Sequence, residues 1–481
     1  MSEFPKYIWF APDDTSRNPY AAFRRTFTIQ PPGDIKAEFH IFADTQYDLF
    51  VNGRFVGYGP ARFDPRRPQY DSYDLSGFLT EGKNVIAVLA NFVGHKTFKS
   101  IPGTAAMIAW GEAKCGGRKT DLSTGSGWKC LRHAAYNRYA PKLSFALGAQ
   151  AFYDQAAFDS GWTGADYDDS AWPEAVEVSA GGQSRLGRLT AREIPFMSLE
   201  PVAAAADTRV FPLADNEERY SFSLELPFTY ATANDPQDAY CRTVAWSTYV
   251  YSPREQAVSS SILYDKIWVN GVAAETFEDP SRQLRRNFIM RLNQGWNYVF
   301  GTADMGEDVY NLYLTLPKGC GLTLSAGKNP ESGLLFRHTR VMPKEYAAEI
   351  SSIPAPWPED ADISPVGGWT YTASADAASS PNRESGLDTY GPPAETVSPD
   401  KLNGFVIEKS IYPDGAALVI DVGHMRLLFP CLRLRGVKGA AIDLVYGDRY
   451  AADGMHLRER SWIPLADRLV CSEDVIAWMP I

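Results

Sequence analysis

Two stretches of this chain end a short apolar alternation in the same tripeptide and carry a second shared turn signal downstream. They are Val51-Asn52-Gly53 with Gly82-Lys83-Asn84, and Val269-Asn270-Gly271 with Gly295-Trp296-Asn297. Asn-Gly tolerates φ > 0 at both central positions of a two-residue hairpin, and that geometry matches the twist of the flanking strands. Each copy therefore predicts a hairpin, and the pair predicts one kind of β-sandwich encoded twice. The surrounding alternation puts Tyr47, Leu49 and Val51 on one face of the first copy and Ile267 and Val269 on one face of the second.

With 481 residues the chain is too long for a single core and predicts three or four domains of roughly 100 to 200 residues. A composition of 45% hydrophobic and 13% aromatic residues fits folded modules, with most rings packed in cores and a few free to stack on ligands. The net charge of -11 argues against nucleic acid or an anionic membrane as partner, since both require clustered Lys and Arg. Arg66-Arg67 and Arg285-Arg286 are too short to reverse this and fit solvated strand edges. The N-terminal Met1-Ser2-Glu3-Phe4-Pro5-Lys6 lacks the features of a secretory signal, and no apolar run reaches the about 20 residues that span a bilayer. The expected location is cytoplasmic. The cysteines at 115, 130, 241, 320, 431 and 471 include no C-x-x-C pair and predict free thiols, although Cys115 and Cys130 flank a Gly-rich turn and could face one another.

Residues 1 to 20 read as a lead-in. Short β-like runs follow at 22–29, 37–43 and 84–90, and Met107 to Trp110 is expected to form a hairpin with Gly127 to Cys130 across the intervening glycines. A second sandwich is expected over 201–345. An irregular connector follows over 346–403, with Pro354, Pro356, Pro358, Pro392 and Pro393 and one short helix at Glu345 to Ser351. β pattern then returns over 404–481 as a partial third unit. No apolar stripe of helical period persists long enough to predict a substantial helix. The expected fold class is all-β: tandem jelly-roll β-sandwich modules, the last one incomplete, with the first spanning 1–200.

Within that first module, Ala165-Asp166-Tyr167-Asp168-Asp169-Ser170-Ala171-Trp172 follows Gly161-Trp162. Its acidic turn ahead of a buried Trp can fix a chain crossover by accepting backbone N–H bonds. The alternative is a calcium site on Asp166, Asp168 and Asp169, because calcium prefers hard oxygen ligands gathered on one loop.

The run from Ala43 through Tyr47-Asp48-Leu49-Phe50-Val51-Asn52-Gly53, continuing to Tyr70-Asp71-Ser72-Tyr73-Asp74-Leu75 and Gly82 to Ile86, resembles the N-terminal module of bacterial α-L-rhamnosidases of glycoside hydrolase family 78. Phe152-Tyr153-Asp154 with Gly161-Trp162 and Tyr167 to Trp172 is similar to the family's stretch between its first two modules. The segment from Ile420-Asp421-Val422-Gly423 to Tyr446-Gly447-Asp448 is similar to the sandwich that precedes its catalytic domain. The resemblance implies that catalysis belongs to an (α/α)₆ barrel beyond these sandwiches. An inverting pair of carboxyl groups there would stand about 6.5 to 9.5 Å apart. No catalytic residue carries over onto this sequence.

The sandwiches themselves show no Gly-x-Ser-x-Gly elbow, His-Glu-x-x-His or phosphate loop. Glu307-Asp308, and Asp448 with Asp453, are the acidic pairs that an acid–base couple would draw on, and the six histidines are dispersed. A sugar site pairs a ring with Asp, Asn or Arg, a combination found at Arg62-Phe63-Asp64 and again at Asp166 to Trp172. The expected function is a non-catalytic accessory region that binds rhamnose-containing glycans or braces a barrel. A stand-alone carbohydrate-binding protein and a rhamnosidase with its site between sandwiches are the competing readings.

Overall fold

The computed structural model describes residues 5–12, 18–30, 33–94, 97, 100–101, 103–138, 140, 148–178, 186–213, 217–223, 242–263, 265–277, 285–305, 311–328, 333–339, 342–343, 357–359, 363–364, 368–372, 393–424, 428–447, 466–472 and 475–479. Among them the regular structure is almost entirely strand, accompanied by two 3-10 turns and one helical turn at Pro399–Leu402. The helix expected at 345–351, most of the connector, and the acidic pairs at 307–308 and 448 with 453 lie outside the described residues.

The first sandwich uses β1 (Ile8–Trp9), β2 (Tyr20–Ile29), β3 (Lys36–Asp44), β4 (Gln46–Val51), β5 (Arg54–Gly59), β6 (Gln69–Asp74), β7 (Gly82–Asn91), β8 (Ala106–Cys115), β9 (Arg118–Asp121), β10 (Trp128–Arg132), β12 (Val176–Glu177) and β13 (Thr190–Ala191); β11 (Phe152–Asp154) leads elsewhere. One sheet runs β12-β1-β8-β3-β6-β13, with β9 on β8, and the other β10-β2-β7-β4-β5. Their facing sides share one apolar core in which Tyr47, Leu49 and Val51 are buried as the alternation predicts. β7 is apolar at nearly every position because both its faces are covered: Ile86, Val88 and Ala90 enter the main core, while Ala87 and Leu89 face a second cluster behind the sheet.

Two local expectations are corrected. The lead-in is structural, since β1 pairs with β8 and Trp9 is wholly buried in the core. The hairpin after Met107 is formed by β8 and β9 about Gly116-Gly117, whereas β10 crosses to the other sheet and pairs with β2. Both glycine clusters turn the chain at positive φ, and the earlier one closes the hairpin. Cys115 and Cys130 are buried free thiols.

Both Asn-Gly turns adopt the expected conformation, with φ of 51° and 75° at Asn52 and Gly53, and 51° and 83° at Asn270 and Gly271. At the edge between β5 and β6, Asp71 is fully buried and accepts from the Tyr47 hydroxyl at 2.5 Å and from Arg192 Nη1 at 2.9 Å. Gly59 leaves space for this cluster, since a Cβ there would lie 1.9 Å from Asp71 Oδ2.

The second sandwich follows β14 (Thr208–Pro212) and contains β15 (Glu217–Ser223), β16 (Arg242–Ser252), β17 (Gln256–Leu263), β18 (Asp265–Val269), β19 (Val272–Ala273), β20 (Glu275–Phe277), β21 (Arg285–Leu292), β22 (Gly295–Met305), β23 (Asn311–Pro317), β24 (Thr323–Ser325), β25 (Phe336–His338), β26 (Met342–Pro343) and β27 (Thr370–Thr372). One sheet is β15-β23-β17-β21-β20; the other is β19-β18-β22-β16-β25-β27, with β24 and β26 also on β16. Ile267 and Val269 lie in its core.

The remaining strands are β28 (Glu395–Val397), β29 (Ala416–Val419), β30 (Leu432–Arg435), β31 (Ala441–Val445), β32 (Ala466–Val470) and β33 (Val475–Trp478). β14 pairs with β28 and β29, so segments on either side of the second sandwich share a sheet. β32 pairs with β11, and Leu469, Ile476 and Trp478 join Tyr20, Tyr136, Tyr153, Trp162 and Trp172 against the outer face of the first sandwich.

Candidate functional site

A dense group of aromatic and charged side chains, buried at its middle and open at its ends, lies on the outer face of the larger sheet of the second sandwich. Along β16, Val244, Trp246 and Val250 point into the core, so Ala245, Ser247, Tyr249 and Tyr251 point out. Along β22 the same alternation turns Trp296, Tyr298 and Phe300 outward. Gly301 stands opposite Trp246, where a Cβ would meet the indole at 2.5 Å. Register then aligns the outward rings: Tyr251 with Trp296, Tyr249 with Tyr298, and, from β18, Trp268 with Phe300.

These pairs touch. Ring centroids are 5.4 Å apart for Tyr251–Trp296, 5.4 Å for Tyr249–Tyr298 and 5.6 Å for Trp268–Phe300, all tilted or edge-on as aromatic quadrupoles prefer. Trp357 stacks on Phe300 at 5.3 Å and meets Trp369 at 5.8 Å, which covers the middle of the strip. The ends stay open: Tyr251 is 38% exposed, and Trp296 and Trp268 are half-buried.

Polar groups are fixed among the rings. Arg337, on β25 opposite Ser247, donates through Nε to Ser247 Oγ at 2.6 Å and through Nη2 to the Tyr298 hydroxyl and the Glu359 carbonyl, each at 3.3 Å. Its guanidinium lies 4.5 Å from the Trp369 centroid, a cation–π contact. Lys328 Nζ sits 2.7 Å from Glu359 Oε1 and holds that carboxyl below its usual range, together with a bond from Tyr249. Burial pushes the Tyr249 hydroxyl up, and its bond to Glu359 adds to this. A half-open row of rings flanked by a cation, a carboxylate and phenols can stack on C–H faces and bond hydroxyls.

The sites expected from sequence lie elsewhere, and the structure does not bring them together. Phe63 is partly buried edge-on against Phe42 at 5.0 Å. Asp64 is engaged by Arg66 through Nε at 3.0 Å, Nη2 at 2.6 Å and the backbone N–H at 2.9 Å, which lowers its carboxyl to about 2, while Arg62 is exposed. In the acidic turn, Asp168 Oδ1 accepts the Ser170 N–H at 2.9 Å, and Trp172 is buried. Asp169 accepts from Arg24 Nε at 2.9 Å, Thr26 Oγ1 at 3.2 Å and Lys129 Nζ at 3.2 Å. Burial would raise the Asp169 carboxyl, but Arg24 and Lys129 outweigh it and hold it low. Arg24 is wholly buried on the outer face of the first sandwich and also donates to the carbonyls of Trp162 and Gly164. This geometry fixes a crossover, as one of the two sequence readings expected. Among the described residues, no group of three or more His, Cys, Asp or Glu is placed to hold a metal ion, Asp166, Asp168 and Asp169 included.

Sequence reasoning missed the aromatic face. Its signal was present as rings at alternate positions, Tyr249 and Tyr251, then Trp296, Tyr298 and Phe300, but the facing of separate strands was needed to unite them.

No protein-family model matches the sequence, and no curated protein does so either. Solved structures do. A family 78 rhamnosidase from Bacillus sp. GL1 matches with a TM-score of 0.71 and 21% identity over 100% of this chain and 52% of its own. An α-L-rhamnosidase from Dictyoglumus thermophilum matches at 0.32 and 17% identity, covering 66% of this chain and 33% of that one. One from Aspergillus terreus gives 0.32 and 16% identity, covering 65% and 36%. Only the first is close enough to inform the fold. In the described residues no helix is long and apolar enough to cross a membrane. This chain thus has the all-β fold of about half the length of a family 78 rhamnosidase, in keeping with the N-terminal region that its sequence resembles.

Proposed function

We propose that this chain is the non-catalytic β-sandwich region of an α-L-rhamnosidase-like glycoside hydrolase, and that it binds rhamnose-containing glycans on the aromatic face of its second sandwich. The observation that carries this reading is the pair of open ends of the aromatic row, Tyr251 with Trp296 at one and Trp268 at the other, with Lys328, Glu359 and Arg337 fixed among the rings. A deoxy sugar presents an apolar C–H face and a methyl group to such rings, and its hydroxyls to the ion pair at their border. The likeness in fold to a rhamnosidase makes rhamnose the sugar to test first. We divide the chain into a first sandwich over 1–200, a second over 201–345 that β27 extends, a connector, and a partial third unit over 404–481. The last of these braces the first through β11 and β32.

Calorimetric titration of the purified chain with methyl α-L-rhamnoside tests the reading. Saturable binding that weakens about tenfold in Trp296→Ala supports it, while heats unchanged from buffer with every rhamnoside oppose it.

A further inference from the structure

The two open ends of the aromatic row stand too far apart to serve one sugar ring. Tyr298 lies two residues beyond Trp296 along β22 and Phe300 two beyond that, with Trp268 beside Phe300 on β18. At about 3.4 Å per residue, the Trp296 end and the Trp268 end are separated by about 14 Å. A ring packed on an aromatic side chain keeps its centroid within about 7 Å of it, so a sugar seated at one end is out of reach of the other.

Between the ends the face changes chemistry. The Tyr249–Tyr298 pair holds the midpoint, and Lys328 Nζ stands 6.0 Å from the Tyr249 centroid. Lys328 and its partner Glu359 keep 60% and 42% of their side chains exposed, so this ion pair faces solvent. Arg337 is buried against Tyr298 and braces the rings from within. Along the face the order is therefore ring, exposed ion pair, ring. A solvated ion pair adds little to stability, and its ammonium and carboxylate can turn to ligand hydroxyls as donor and acceptor. A single sugar at either end leaves that pair unused, whereas a chain crossing from end to end passes it.

We propose that this face binds one linear oligosaccharide of at least three units, its outer sugars on Tyr251 with Trp296 and on Trp268, and the unit between them hydrogen-bonded by Lys328 and Glu359. This rests on the glycan-binding function proposed above and adds to it the length of the ligand and a role for the ion pair.

Calorimetric titration of the full chain compares methyl α-L-rhamnoside with a linear trimer of α-linked L-rhamnose, in the wild type, in Trp268→Ala and in Lys328→Ala. The last of these replaces an exposed side chain and spares the fold. The trimer is expected to bind at least about tenfold more tightly than the monomer, beyond the roughly threefold that three equivalent rings supply by number alone. Either variant should erase most of that gain while still binding the monomer at the Trp296 end. A gain short of tenfold, or one that survives either variant, overturns the proposal, and monomer binding in the same titration leaves the glycan-binding function standing. No heat from either sugar overturns both.

Discussion

Asn52 and Asn84, on different strands of the first sandwich, are locked side chain to side chain: Asn52 Nδ2 donates to Asn84 Oδ1 at 2.9 Å, and Asn52 Oδ1 accepts the Val85 N–H at 2.9 Å. Asn84 then closes its own turn by accepting the Thr80 N–H and donating to the Thr80 and Gly82 carbonyls. The second sandwich repeats the device. Asn270 Nδ2 donates to Asn297 Oδ1 at 2.8 Å, Asn270 Oδ1 accepts the Tyr298 N–H, and Asn297 engages Asn293 and Gly295. The repeated tripeptides therefore encode more than two hairpins. Each binds its hairpin to the turn before a central strand.

Substituting either member should expose how far the lock contributes. Asn52→Gly keeps the left-handed φ but loses every side-chain bond, and should cost about 2 to 3 kcal/mol of stability in denaturant titrations. Asn84→Ala should cost a similar amount, with the double variant less than additive by roughly 1 kcal/mol. Strict additivity would mean that the two amides act separately.

Arg24 is buried with its charge answered by Asp169, so Asp169→Ala strands a cation behind the sheet. The expected loss is about 3 kcal/mol, well above that for Asp168→Ala, whose carboxylate accepts from Ser170 in an exposed turn. Calcium or a chelator should leave the melting temperature of the wild type unchanged. A calcium-dependent rise would show that these carboxylates hold a metal rather than the crossover.

Asp44 gives stability a pH dependence of known sign. Burial raises its carboxyl from 3.8 to about 7, partly offset by bonds from the Thr104 N–H and the Thr45 hydroxyl. A carboxyl that holds its proton more tightly when folded favours folding at low pH. This contribution should be lost as pH climbs from about 4 to about 7 and then level off. In Asp44→Asn, unfolding midpoints measured between pH 5 and 8 should fall less steeply than in the wild type. Parallel curves would place the titration elsewhere.

Gly301 faces the Trp246 indole, where an added Cβ would lie 2.5 Å from the ring. Gly301→Ala should therefore destabilise by about 1 to 3 kcal/mol, whereas Gly271→Ala, in open space but at φ of 83°, should cost through backbone strain alone. Thermal unfolding of both variants checks the distinction.

What the sequence made legible was local. Asn-Gly at positive φ, the alternation through Tyr47, Leu49 and Val51, and the acidic turn before Trp172 are each specified within about ten residues, where turn chemistry and strand period act. The second partners were not legible. Arg24 meets Asp169, Trp9 enters the core, and Trp296 meets Tyr251 only because sheets pair distant segments, and one apolar alternation looks the same whichever strand it faces. Phe63 shows the limit most simply: a ring beside Arg and Asp suggests a sugar site, yet it packs on Phe42 while Asp64 turns to Arg66.

The central claim is that the second sandwich holds sugar without cleaving it. The most direct measurement mixes the purified chain with p-nitrophenyl α-L-rhamnoside, following binding by quenching of the surface tryptophans and turnover by nitrophenolate release. The account predicts saturable quenching that Trp296→Ala weakens, with release no faster than in buffer. Nitrophenolate release above that background, or quenching indifferent to Trp296, would contradict it.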